Sequence, residues 1–352
     1  MTDATKVDVV IVGAGIAGLA VAHRLVQRGR RVSVLEARGH VGGRLRSTPD
    51  GLDLGATWFW DNEPRVAHLV QELGLTVDPH HVAGDALFHQ RGHVERLQGN
   101  PIDIACNRIR GGTRQLALAL EQKLPRGTLR VGCHVRGVTA VDDRLVVTTS
   151  NDAISADHVV LALSPAVVAR GIAFTPPLSE DLATLAARTP IWMGAMTKVL
   201  IRYDLPFWRE MGFAGSVISQ IGPMREIHDA CGPYGSPAAL FGFVAPAQVG
   251  EPTVTRQAVV DQLVEVFGEH AASPRGVVIA DWRQEPFTSV PGVETMLDYR
   301  GFGHRLFQEA AMDGRLHWSS TETAVQFPGH IEGALEAAER TVAAIMRPRE
   351  PE

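Results

Sequence analysis

The sequence is poor in cysteine, with only Cys106, Cys133 and Cys231 in 352 residues and no C-x-x-C spacing among them. Cysteines so few and so spaced make neither a disulfide framework nor a zinc site, so no metal centre is expected, and they fit a reducing cytoplasm. Charge of either sign is also lacking in excess. A formal net charge of -5 is small for this length, which argues against a grip on nucleic acid and against attraction to a membrane through charge. No apolar run is long enough to span a bilayer. The apolar start carries Asp3 and Asp8, which spoil the basic region that a secretory signal needs. Internal repeats and low-complexity tracts are absent too. What remains is a folded chain, 45% hydrophobic and 21% charged, long enough for one large domain or two ordinary ones.

The stretch VDVVIVGAGIAGLAVAHRLVQRGRRVSVLEAR reads strand, turn, helix, strand. Val7 to Val12 is an almost unbroken β-branched run of the kind that forms a buried parallel strand. Gly13, Gly15 and Gly18 follow as G-x-G-x-x-G, and Leu19, Ala22, Leu25 and Val26 mark a helix face closed by Gly29. The second strand, from Arg31 to Leu35, ends at Glu36, eighteen residues beyond Gly18. Each feature has a mechanical reason. The first glycine permits a tight turn, the second lets backbone approach a pyrophosphate, and the third lets helix and strand pack closely. The loop Gly13-Ala14-Gly15-Ile16-Ala17-Gly18 is thus a candidate pyrophosphate cradle at a helix N-terminus, and Glu36 a candidate acceptor for an adenosine ribose.

This fingerprint fits NAD and FAD alike; its continuation separates them. After Glu36 come Ala37, Arg38 and then Gly42, Gly43 and Arg44, followed by DLGATWFW over 53–60. Two adjacent glycines give a second close approach to phosphate, with Arg38 and Arg44 as charged partners. Here the chain resembles the flavin-containing amine oxidases, the monoamine oxidase-like group, whose motif L-E-A-R-x-x-x-G-G-R followed by D-L-G-G/A it matches almost letter for letter. The resemblance implies that FAD lies along this surface, with Ala56, Thr57 and Trp58 beside the isoalloxazine ring. It extends over nearly the whole chain. IRGGTRQLALALEQKL (109–124) matches a family helix, and the strands that follow include Val135, whose counterpart touches the adenine end through its backbone.

The implied fold is α/β. An FAD-binding Rossmann-like domain of glutathione reductase/amine oxidase type would cover 1–80, 101–165 and 300–352. An α+β substrate domain with an antiparallel sheet would cover 81–100 and 166–299. Strands are expected at 196–208 and 239–245, a helix at 261–267 and a hairpin at 86–97. One departure is large. The family inserts a block of helices after the hairpin, whereas here only LQGNPIDIACNR joins it to the next helix, a loop-sized connector of about a dozen residues. The site should therefore be more open than in the family, or covered by another subunit of a homo-oligomer.

Lys198 and His330 are the candidate catalytic residues. On pattern alone Lys198 fits the solvent face of an edge strand. The resemblance instead aligns it with a lysine that holds a water against the flavin's reactive nitrogen. His330 stands where many relatives place half of an aromatic cage around the substrate amine; without the resemblance it is a polar residue near a helix start. Trp282 and Phe287-Thr288 fit the family's W-x-x-x-x-[YF]-[ST]. The next residues, Ser289 and Val290, replace the Cys-Tyr of covalent-flavin monoamine oxidases. With no cysteine nearby, the FAD should be noncovalent, and half of the aromatic cage is missing. Trp58, Trp60, Phe88, Trp192 and Phe243 are the alternative sources of aromatic wall. In STETA, Glu322 and Thr323 align with the pair beside the ribityl-phosphate chain. The helix that begins near Ile331 would aim its N-terminus at the ring's pyrimidine carbonyl, where reduced flavin accumulates negative charge.

The reading is an FAD-dependent amine oxidoreductase. It would oxidise a primary or secondary amine, or an amino-acid derivative, to an imine that water hydrolyses, with O2 or another acceptor taking the electrons. Two alternatives stand beside it: carbon–carbon desaturation of a hydrophobic substrate, as in porphyrinogen oxidases and carotene desaturases, and a low-turnover flavin-binding partner protein.

Overall fold

A computed structural model describes residues 5–244 and 254–347. The β-branched start forms the strand Thr5–Val12, in which Val9, Val10, Ile11 and Val12 are all buried. It pairs in parallel with Ala153–Leu161 on one side and Val32–Leu35 on the other. A strand apolar on both faces needs cover on both, and it has it. Helices Ile16–Gln27, Arg114–Lys123 and Ile331–Met346 pack on one face through Leu19, Leu25, Leu116, Ala334, Leu335 and Ala338. Helices Pro165–Gly171 and Glu180–Arg188 cover the other, where Val10, Val12 and Leu161 meet Phe307 and Trp318. Burial of each such leucine contributes about 1.5–3 kcal/mol, so this packing anchors the two chain ends to one another.

The sheet has eight strands. Beyond Ala153–Leu161 lie Arg144–Thr149, Val135–Val141 and Ala173–Thr175; beyond Val32–Leu35 lies Leu129–Arg130; Leu316–Trp318 also pairs with Ala153–Leu161. Because Ala173–Thr175 pairs in parallel with Val135–Val141, this sheet reaches past the boundary expected at 165.

The second sheet has seven strands in the order Gly276–Asp281, Thr197–Tyr203, Ala238–Val244, Met224–Asp229, Phe213–Ser219, Asp85–Gln90 and His93–Leu97. It is antiparallel except where the hairpin strand Asp85–Gln90 joins Phe213–Ser219 in parallel, a corner the sequence reading did not anticipate. The expected strand at 196–208 stops at Tyr203. Pro206 cannot donate to a ladder, and Phe207–Glu210 forms a helical turn. Helix Arg256–Phe267 starts earlier than expected, capped by Thr255, whose hydroxyl accepts from the Ala258 N–H. Of the expected strand at 239–245, Ala245 lies outside the described residues.

Alternation along Thr197–Tyr203 sets the site. Val199 and Ile201 face the helix Arg256–Phe267, while Leu200 faces Leu52 and Leu54 of the first domain's segment. A period of two puts Lys198 on the same side as Leu200. Among the described residues, no helix is long and apolar enough to cross a membrane.

Candidate active site

The three motif glycines meet three separate demands. Gly13 has φ +103°, a conformation that L side chains rarely adopt. A methyl on Gly18 would sit 2.0 Å from the Gly13 carbonyl oxygen, so helix and strand can close only on hydrogen. Gly15 is different: a methyl there would meet nothing, because the space beside it is a cavity of about 340 Å³. Gly15 occupies the cap position of helix Ile16–Gln27 without a side chain to satisfy the first N–H groups. The helix Ile331–Met346 likewise starts without a side-chain cap, and Ile331 and Ala334 line the same cavity. Two uncapped helix N-termini therefore open onto one space.

Glu36 lies at this space, 4% exposed, and accepts the Ala14 and Arg38 N–H groups at 2.9 Å each. Arg38 donates to Thr288 Oγ1 and stands 3.5 Å from Glu285. Arg44 grips Glu322 with two hydrogen bonds of 2.6 and 3.0 Å. Glu322 is fully buried and also accepts from Ser164 Oγ and the Trp192 N–H. Burial works against its charge, but the Arg44 guanidinium holds the carboxyl below the usual glutamate range.

Lys198 is 2% exposed and lies on an internal strand, not an edge. Its Nζ donates to Thr57 Oγ1 at 2.5 Å and to the Gly55 carbonyl at 3.2 Å, and rests 4.0 Å from the Phe241 ring centroid. Among the described residues it makes no ion pair. Burial pushes its pKa down to about 7, with the buried Asp53 opposing and Arg108 assisting. The group can thus change charge near neutrality.

His330 lines the cavity with its Nδ1 2.6 Å from Oε1 of Glu63, a residue 1% exposed. Trp60 stands beside it, ring centroids 5.4 Å apart. Trp58, Trp192 and Phe243 also line the cavity, whereas Phe88 does not.

These features fit a flavin dinucleotide: two uncapped helix starts for its anionic parts, an acid for its ribose, and an aromatic, lysine-bearing chamber between. The sequence profile of the flavin containing amine oxidoreductases matches residues 16–109 and 104–346. The chain belongs to this family. It is 25% identical to flavin-containing amine oxidase B of Sus scrofa over 462 aligned residues, covering 97% of this chain and 86% of that one. It is 30% identical over 268 residues to the L-amino acid dehydrogenase of Synechocystis sp., covering 72% of this chain and 54% of the other. Cyclohexylamine oxidase from Brevibacterium oxydans superposes with a TM-score of 0.82 at 21% identity, covering 96% of this chain and 98% of that one. The chain is an FAD-dependent amine oxidoreductase.

Family membership sharpens the departure noted above. An alignment of 462 positions on a chain of 352 residues leaves at least 110 of them without a counterpart here, and the two segments of the profile match meet and overlap at 104–109, at the end of the connector. The connector carries polar chemistry of its own. Asp103 accepts from Asn100 and Ser216 and stands 2.7 Å from His228 Nδ1, behind Trp58, whose ring centroid is 5.1 Å from that of His228. Burial opposes the Asp103 charge, yet His228 holds its carboxyl well below the carboxylate range; burial opposes the His228 charge too, and Asp103 and Glu226 raise its pKa.

Of the predicted flavin-site residues, Gly13, Gly15, Ile16, Ala17, Glu36, Arg38, Gly43, Arg44, Ala56, Thr57, Trp58, Trp282 and Ile331 line the cavity, with Lys198 and His330. Ala14, Gly18, Ala37, Val135, Glu322 and Thr323 do not. Ala14 positions Glu36, Gly18 packs on Gly13, and Glu322 sits behind Arg44. Thr323 Oγ1 accepts the Ser320 N–H, and Val135 packs its side chain into the core beneath the first sheet. None of the three cysteines, all free and buried, lines the cavity. Sequence reasoning missed Glu63 and Asp103. Glu63 precedes Pro64 at the start of helix Pro64–Glu72 and reads as an ordinary helix-start acid; only its partner, 267 residues away, reveals it.

Proposed function

We propose that this protein oxidises a primary or secondary amine to an imine, which water then hydrolyses, and that O2 accepts the electrons. When bound, the flavin supplies the two-electron chemistry. The chain's own residues orient, exclude water and handle protons. Glu36 would hold the adenosine ribose and the N–H groups near Gly15 the pyrophosphate, with Arg38 and Arg44 fixing the charge around them. The N-terminus of helix Ile331–Met346 would stabilise negative charge at the ring end. Lys198 carries the reading. It is a buried cation with neutral hydrogen-bond partners, poised near pH 7 between Thr57 and Phe241, where it can orient a water or release and take a proton.

Anaerobic mixing of the holoprotein with a panel of apolar amines tests this: loss of the oxidised flavin absorbance is expected with at least one of them. Bleaching only by a cyclic hydrocarbon precursor, or by nothing, would sink it. A cytoplasmic location belongs to the same reading, in keeping with three free, buried cysteines. So does a second copy of the chain over the cavity mouth, where Trp192 is 36% exposed and stacks edge-on against the exposed Tyr299. Light scattering at micromolar concentration checks that last point, a monomer excluding it.

A further inference from the structure

Two residues in this site occupy helix-cap positions and cap nothing. Glu63 precedes helix Pro64–Glu72 and His330 precedes helix Ile331–Met346, yet neither side chain bonds to its own helix. They bond to each other instead, at 2.6 Å.

We propose that Glu63 and His330 form a proton-accepting pair that recognises the nitrogen of an amine lacking a carboxylate; this rests on the amine-oxidation reading and narrows it.

The partner fixes the tautomer. An ionised carboxylate only accepts, so the Nδ1 facing Glu63 Oε1 carries a proton, and in the neutral imidazole Nε2 keeps its lone pair. Nε2 makes no hydrogen bond among the described residues, and the His330 side chain, 34% exposed, lines the cavity. The other oxygen of Glu63 accepts the Trp60 N–H at 2.9 Å. One buried carboxylate therefore sets both the imidazole and the indole-bearing segment whose ring lies 5.4 Å from it. That pairs an aromatic face with a proton acceptor in place of the two aromatic faces expected of the family.

In water near neutrality an alkyl amine is an ammonium ion, which has no lone pair with which to assist loss of hydride from its α-carbon. At His330 the ammonium N–H bond breaks and an Nε2–H bond forms, with no change in oxidation state. The amine becomes neutral and the imidazole cationic, and Glu63 compensates the new charge across its existing hydrogen bond. A substrate carboxylate finds no welcome here. The two guanidinium groups that line the cavity are committed, Arg38 to Glu285 and Arg44 to Glu322; the third cation on its wall, Lys198, is held by Thr57 and Gly55, and beside His330 it is Glu63 that sets the charge.

The test uses the FAD-loaded full chain, as wild type, Glu63→Gln and His330→Phe, with 2-phenyl-2-propylamine as probe. This amine has no α-hydrogen, so it binds without turnover. Its affinity is read from the flavin spectrum, and proton exchange from calorimetry in buffers of different ionisation enthalpy. Wild type is expected to bind the ammonium without releasing a proton to the buffer. Both variants should retain FAD, bind at least about tenfold more weakly and release about one proton, as expected for losing a hydrogen bond to a charged group. Equal affinity and equal proton count in all three overturn the proposal. So does tighter binding by wild type of the matching α-amino acid than of the amine. Should a variant fail to hold FAD, 15N NMR of wild-type His330 decides: the Nδ1–H tautomer must become doubly protonated on adding the amine, and an unchanged spectrum overturns the pair. Wild type that no amine can reduce defeats the parent reading as well, whereas wild type that is reduced beside unaltered variants defeats this inference alone.

Discussion

Arg44 and Lys198 both line the cavity, one from each part of the fold, and they are treated differently. Arg44, on the dinucleotide side, is locked by two hydrogen bonds to the fully buried Glu322. Lys198, on the second sheet, is more deeply buried than Arg44 and rests on a hydroxyl, a carbonyl and two phenyl rings. The first arrangement keeps its charge at any working pH; the second makes charge negotiable near neutrality. A dinucleotide of fixed negative charge needs fixed counter-charges and pre-aligned N–H groups. A site that handles protons needs a group near its midpoint. On the proposed function, the cavity divides into a half that would hold the dinucleotide and a half that would exchange protons.

Breaking the fixed half should cost most. Arg44→Ala leaves the Glu322 carboxylate buried and uncompensated, and should lower stability by about 3–5 kcal/mol, as for other broken buried pairs. Urea unfolding of the FAD-free chain measures it. A loss below about 1 kcal/mol would mean that Ser164 and the Trp192 N–H suffice for Glu322, and the contrast with Lys198 would fall.

Breaking the exchangeable half should affect turnover more than folding. Lys198→Met keeps the side chain's length and apolar stem, so the fold should persist, while kcat/KM for an amine should drop about 100-fold, the lower range for losing a proton-handling group. Its pH signature has a definite sign. The folded-state pKa is about 7 against an ordinary value of 10.5, so between these the unfolded chain holds a proton that the folded chain lacks. Wild-type stability relative to Lys198→Met should therefore climb from pH 7 toward pH 10 and be flat below pH 6. Parallel stability curves for the two proteins over that window would show that Lys198 titrates normally.

The two halves were unequally legible in the sequence. Local chemistry announces the dinucleotide half. Glycines at fixed offsets, a β-branched strand and an acid at the next strand's end are each constrained by neighbours a few residues away, and the structure assembles Gly13, Gly15 and Glu36 around one space. The C-terminal T-E-T was legible only through the family resemblance, and Glu322 lies behind Arg44, not at the cavity surface. The substrate half depends on tertiary pairings. Lys198 by itself reads as an edge residue, and becomes central because Gly276–Asp281, from much later in the chain, pairs outside its strand. Glu63 and Asp103 are ordinary loop acids until His330 and His228 arrive beside them. The parallel joint between Asp85–Gln90 and Phe213–Ser219 has no sequence signal, because period-two alternation is the same for either strand direction.

The smallest expected change in stability is also the sharpest test of the holding half. Gly15 has φ -73° and open space where a side chain would begin, so Gly15→Ala is sterically free. Losing glycine's cap preference and chain entropy largely offset, so stability without FAD should move by no more than about 0.5 kcal/mol. The open space, however, is the cavity itself, next to the uncapped N–H groups of helix Ile16–Gln27. A methyl there holds a pyrophosphate away from donors that act only at hydrogen-bond distance, and FAD affinity should fall at least about tenfold. Gly18→Ala provides the control. Its methyl would lie 2.0 Å from the Gly13 carbonyl and must force helix and strand apart, so it should lose stability and FAD together. Titrating each FAD-free variant by quenching of flavin fluorescence separates the two glycines. If Gly15→Ala binds FAD as wild type does, the pyrophosphate does not lie against this helix start, and the division of the cavity has been drawn in the wrong place.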